Sequence, residues 1–317
     1  MKATSTPGER SPGNNPPSVP LGLRYMALGA FWFSLMSLLV KVAGQRLPSQ
    51  EIVLVRAVIT LGLSYLLVRR TGVHIWGKNK RLLVLRGLLG FTALSFFYYS
   101  LVHLPLAEAS IIQYTNPIFT AILAALLLRE HMGRWDVGGV LVSFLGVLLI
   151  ARPGFLFGST SQLSPFAVGI ALTGALCSAG AYVTIRKMAG EHPLVIVFYL
   201  PLVTLVATIP IAAPSLIWPT PREWLVLVGV GVTTQIAQVY MTRGLQMERA
   251  GRATAVGYLQ VVFAAAWGAL FFAEFPDRWS LLGGSLILGS TLLLAERGRR
   301  ERAHLAQSTG VVAPVEA

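Results

Sequence analysis

The chain has 317 residues, 54% of them apolar and 12% charged, a balance that a water-facing globular surface does not tolerate. Its formal net charge of +13 does not signal nucleic-acid binding, because Lys and Arg stand between apolar segments rather than on one basic face. The single cysteine, Cys177, excludes an internal disulfide, and the five histidines, His74, His103, His131, His192 and His304, show no ligand spacing, so neither a metal nor another cofactor is implied.

Residues 1–23, rich in Pro, Gly, Ser and Asn, predict a disordered tail without an apolar stretch for a signal peptide, so the first spanning helix is expected to direct insertion. A helix crosses a hydrocarbon core of about 30 Å with roughly 20 apolar residues. Apolar runs predict crossings at 24–44, 51–69, 82–102, 107–128, 135–151, 166–186, 194–213, 223–243, 251–273 and 279–295. The runs are continuous rather than alternating, which argues against a β-barrel. The fold class predicted is therefore an all-α membrane protein of ten transmembrane helices, with residues 296–317 as a second disordered tail.

Segments on one side of this topology carry twenty Lys and Arg residues, among them Arg69, Arg70, Lys80, Arg86, Arg129, Arg186, Arg249 and Arg252. The other side carries five, Lys41, Arg46, Arg152, Arg222 and Arg278, and Arg56 falls inside the second helix. The asymmetry predicts both termini in the cytoplasm. A shift of 144 positions aligns Ala107 to Arg152 with Gly251 to Glu296 without a gap, matching Tyr114 with Tyr258, Phe119 with Phe263, Glu130 with Glu274 and Trp135 with Trp279. Such a repeat divides the chain into halves 24–152 and 166–295, joined by 153–165. Five helices per half force opposite orientations, so the repeat is inverted, the usual architecture of alternating-access carriers.

Leu85-Arg86-Gly87 through Tyr98-Tyr99, Leu106-Ala107-Glu108-Ala109, Asn116-Pro117-Ile118-Phe119-Thr120, Arg129-Glu130, Trp135-Asp136 and Ala151-Arg152-Pro153-Gly154-Phe155-Leu156-Phe157-Gly158 resemble the drug/metabolite transporter superfamily. The likeness is to its ten-helix EamA branch over residues 24–295, and within that to the G branch of solute carrier family 35. It implies a ten-helix inverted-repeat carrier with a central cavity lined by the first, third and fourth helices of each half. Families of this kind are associated with cargoes from amino acids to drugs, so the resemblance leaves the substrate open.

Polar residues at membrane depth are costly unless they face protein or a wet cavity. The fourth helix places Ser110, Gln113, Pro117 and Thr120 on one face with Tyr114 and Asn116 beside it, and the ninth offers Thr254, Tyr258 and Gln260. These form candidate walls of a substrate site, with interhelical packing glue as the bland reading. Thr234, Gln235, Gln238 and Thr242 cluster on the eighth helix, where two amides suit a hydrogen-bonding cargo. Trp32 and Phe33 on the first helix and Phe96, Phe97, Tyr98 and Tyr99 on the third could stack on a planar ligand or anchor at an interface. Arg56 either attracts an anionic substrate or pairs with Glu51, Glu108 or helix carbonyl ends.

No Asp or Glu falls in the middle third of a predicted helix, so a buried carboxylate relay is not visible, and no phosphate-binding loop appears. His131 and Asp136 share the spacing of an acyltransferase dyad, but the repeat counterparts are Phe275 and Ser280, and Asp136 reads more simply as a helix N-terminal carboxylate. The expectation is a non-enzymatic secondary transporter in an inner membrane, moving a small polar or amphipathic metabolite. Glycines such as Gly87, Gly90, Gly139 and Gly283 are expected to allow close helix packing. Hydrophobic-drug export on the same fold is the alternative, with membrane-embedded acyl transfer behind it. Expected partners are a small organic metabolite and the lipid bilayer, with no nucleic acid; a homodimer is left open.

Overall fold

The structure, a computed structural model, describes residues 19–104, 112–130, 132–151, 164–272 and 278–309. These residues form α1 (Leu21–Ala43), α2 (Ser49–Thr71), α3 (Lys80–His103), α4 (Asn116–Leu128), α5 (Arg134–Ala151) and α6 (Pro165–Lys187). They continue in α7 (Pro193–Ala212), α8 (Pro221–Met247), α9 (Ala250–Val256), α10 (Leu259–Phe272) and α11 (Arg278–Thr309). With α9 and α10 taken as one crossing, six of the helices searched are long and apolar enough to span a membrane, and α4 is a shorter apolar helix. Phe166, Val206, Leu225 and Leu292 are each more than two-thirds exposed, as side chains facing lipid are expected to be.

Local chemistry sets the ends. Pro165, Pro193 and Pro221 each open a helix at its first position, where a missing N–H costs nothing. Thr220 and Glu223 close a capping box on α8. Gly72 ends α2 in the left-handed region at φ 67°, a conformation that glycine adopts without strain.

The two halves interlock. Helix α1 packs along α8 as α6 packs along α3; α2 meets α8 as α7 meets α3; and α1 meets α10 as α6 meets α4. The pairs α2–α7 and α5–α11 join equivalent helices of the two halves, so the contacts themselves obey the inverted repeat. Glycines bring the pairs close: a Cβ on Gly87 would stand 2.6 Å from Val203, a Cβ on Gly231 would collide with Ile59, and both members of this set are related by the 144-position shift. On the α5–α11 seam, Gly139 meets Leu294 and Gly146 meets the Gly283 carbonyl.

Three expectations change. The crossings predicted as continuous at 107–128 and 251–273 are broken, by turns at Tyr114-Thr115 and Gly257-Tyr258. The breaks fall within one residue of the same repeat position, and the interior polarity around them satisfies backbone that a lipid-facing helix could not release. The stretch after Glu296, read as a disordered tail, continues α11 to Thr309; residues 297–309 lack proline, and Glu296 accepts from Arg300 one turn on at 3.1 Å. Arg86 and Arg252, counted among the charges of the Arg-rich face, are each 2% exposed, because packing of α3 and α9 against other helices covers their side chains.

Candidate functional site

The helix breaks meet. Tyr258 donates from its hydroxyl to the Tyr114 carbonyl at 2.7 Å, and the two rings lie 6.1 Å apart. A carbonyl released by a helix break needs such a donor, since little water reaches this depth. Thr254 satisfies its own hydroxyl by donating to the Ala250 carbonyl at 2.9 Å.

A cavity of about 70 Å³ opens beside this contact, lined by Met26, Gly29, Ala30 and Phe33 of α1, Tyr114, Asn116, Pro117, Tyr182 of α6, Met241 of α8, Thr254, Gly257, Tyr258 and Gln260. Seven of the residues named from sequence, Phe33, Tyr114, Asn116, Pro117, Thr254, Tyr258 and Gln260, are thus brought together. Asn116 Oδ1 is buried without a partner, an acceptor held ready, and Gln260 reaches Ser37 only at 3.5 Å. Among the described residues no charged side chain lines this cavity.

The other candidates go elsewhere. Gln113 donates to Ser178 at 3.0 Å, tying the turn before α4 to α6. Trp32 stands edge-on to Phe31, which also meets Phe263 and Trp267. Tyr98 belongs to α3, and its side chain lies outside the described part, as do Ser110, Glu108 and His131. Arg56, Gln235 and Gln238 line a second, smaller cavity of about 20 Å³ between α2, α7 and α8, with Pro201 and Thr204. There Gln235 accepts from Ser64 at 3.1 Å while its Nε2 finds no partner. Glu51, a proposed partner of Arg56, accepts from the Ile217 amide at 2.9 Å.

One end of the bundle is latched by charge. Arg252 grips Asp136 through Nε and Nη2 at 2.9 and 3.0 Å, with both side chains 3% exposed. Arg186 donates to Glu130 at 2.7 Å and to the Gln246 carbonyl at 2.6 Å, and Glu130 accepts from the Ala250 amide at the start of α9. Gln246 reaches the carbonyls of Met188 and Glu191. At the opposite end Arg46 pairs with Glu223 near water, a hydrogen bond that raises the guanidinium above its ordinary range.

Sequence reasoning missed Tyr182 and the buried arginines. A signal for Arg86 existed: its repeat counterpart is Val230, which is fully buried, so a charge there interrupts an apolar register.

The sequence profile of the EamA-like transporter family matches residues 20–152 and 165–295. The chain belongs to this family. It is 37% identical over 276 residues, 86% of its length and 95% of the relative's, to the pseudopaline exporter CntI of Pseudomonas aeruginosa. Identity to solute carrier family 35 member G1 of Homo sapiens is 33% over 87% of this chain and 79% of the relative. The S-adenosylmethionine uptake transporter of Rickettsia felis shares 27% identity over 88% of this chain and 96% of its own. A solved crystal structure superposes with TM-score 0.76 at 20% identity, covering 87% of this chain and 98% of that one, a likeness of fold. The family read from residues 85–158 is thereby shown, as is the ten-helix inverted-repeat membrane fold.

Proposed function

We propose that this protein is an inner-membrane secondary transporter that moves a small polar or amphipathic organic metabolite by alternating access and binds it in the larger cavity. The halves would be 24–152 and 166–295, joined by 153–165, with the Arg-rich face and both termini in the cytoplasm. The observation that carries the reading is the placement of uncharged hydrogen-bonding groups, Asn116, Gln260 and Thr254, beside the aromatic rings of Phe33, Tyr114, Tyr182 and Tyr258 where two broken helices meet. The latch at Arg252–Asp136 and Arg186–Glu130 supports a state closed toward the cytoplasm. Relatives named for export and for uptake fit a fold whose direction is set by gradients.

Export of purely hydrophobic drugs is less favoured, because apolar cargo leaves Asn116 and Gln260 without partners. Catalysis is disfavoured too: Asp136 is committed to Arg252 and cannot orient His131 as a base.

Thermal unfolding of the purified protein against amino acids, vitamins, nucleosides, carboxylates and drugs tests the reading. A ligand at 100 times its Kd stabilises by about 2.7 kcal/mol. Protection should be lost in Asn116→Ala and Gln260→Ala and kept in Gln235→Ala, with the ligand-free unfolding temperature of each variant as the control for folding. Protection indifferent to Asn116 and Gln260 would remove the larger cavity as the site.

A further inference from the structure

Arg86 lies behind the cavity linings and belongs to neither. It is 2% exposed. Its Nη2 donates to Gln238 Oε1 at 3.3 Å, its Nε is buried without a partner, and no ion pair among the described residues includes it. Gln238 lines the smaller cavity, and Tyr182, the electrostatic neighbour of Arg86, lines the larger. Gly90, one turn along α3, makes the room: a Cβ there would collide with Arg86 Nη1 and press on Leu200.

A guanidinium stays charged at working pH, and burying one without a counter-charge is unfavourable unless something completes it. Packing does not require the charge, since Val230 occupies the repeat-equivalent position fully buried. One long bond to an amide uses little of the donor set. Nε has no partner and Nη2 holds only the long bond to Gln238; with that amide displaced, this is the edge that Arg252 presents to the Asp136 carboxylate, and it matches a carboxylate in bidentate geometry.

We infer that Arg86 is the acid-recognition residue of the transport site, pairing with a carboxylate of the cargo that reaches it past Tyr182 and Asn116 and displaces the Gln238 amide. The inference rests on the transport-site reading above and narrows the cargo to organic acids and zwitterions. The neutral lining of the larger cavity would hold the remainder of the molecule.

The test is thermal protection of the purified full chain by the proteinogenic amino acids and by mono- and dicarboxylic acids, each beside its own amide at equal ionic strength, with inorganic phosphate as a separate arm. At least one acid should bind wild type on the order of tenfold more tightly than its amide. Arg86→Gln should level acid and amide, and Arg86→Lys should keep part of the preference. Ligand-free Arg86→Gln should unfold no lower than wild type, because a buried charge without a partner has been removed. The inference is overturned if acid and amide protect wild type alike, if no acid protects, if phosphate alone protects as well, or if ligand-free Arg86→Gln unfolds well below wild type. Amide protection that equals acid protection yet disappears in Asn116→Ala would discard Arg86 and keep the cavity; protection indifferent to Asn116 and Gln260 would discard the cavity itself.

Discussion

The guanidinium of Arg252 and the carboxylate of Asp136 are both shut away from solvent, with Glu248 3.9 Å from the same arginine. In such surroundings the loss of one partner strands the other charge, at a cost of about 3–5 kcal/mol, whereas removing both together is far milder. Asp136→Asn should therefore lower the unfolding temperature markedly, and the double change Asp136→Leu with Arg252→Met should recover most of it. Calorimetry of the purified variants reads this directly; equal losses in the single and double variants would show that the pair contributes through packing alone. Arg86 differs from Arg252 in that no carboxylate of the described residues answers it, and the contrast between two buried arginines is what separates a latch from a receptor for cargo.

Helix α5 shows how close approach is written into an element. A Cβ on Gly146 would lie 2.6 Å from the Gly283 carbonyl of α11, backbone that cannot turn aside. A Cβ on Gly138, two turns earlier, meets nothing within 4 Å. Gly146→Ala is expected to destabilise by about 1–3 kcal/mol through overpacking, and Gly138→Ala to be neutral or to stabilise by up to about 1 kcal/mol through helix propensity. Thermal denaturation of the two variants side by side checks the assignment. The breaks before α4 and α10 belong to this scale as well. Continuous apolar runs at 107–128 and 251–273 predict unbroken helices, yet Pro117 in the first turn of α4 and Gly257 at the second break favour a helix restart, and the two turns are tied by a tertiary bond, Tyr258 to the Tyr114 carbonyl.

An inverted repeat places two copies of one structure in opposite senses, so exchanging their conformations turns a carrier from one face to the other. That bond is drawn in one sense here. The exchanged state should draw it in the other, with the Tyr114 hydroxyl donating to the Tyr258 carbonyl. Tyr258→Phe should consequently disfavour the state described, and Tyr114→Phe its opposite. Labelling of Thr254→Cys in a Cys177→Ser background with a membrane-impermeant thiol reagent from each side would register the two shifts; shifts of the same sign would break the exchange argument.

Ten apolar runs, the one-sided arginines and the 144-position repeat were decided by the sequence itself, because each needs only the length and polarity of a segment along the chain. Tyr114, Asn116, Tyr258 and Gln260 were legible as a group for the same reason: the repeat aligns the helices that carry them. Gln235 and Gln238, equally polar and equally deep, could not be told from these, and only the tertiary structure set them in a separate cavity. These helices are apolar on nearly every side, and lipid and protein interior are both apolar surroundings, so no amphipathic stripe reports how a helix is rotated about its axis. That rotation, fixed by close contacts such as Gly87 on Val203 and Gly231 on Ile59, decides which polar group meets a partner, which meets the cavity, and which arginine is left for the cargo.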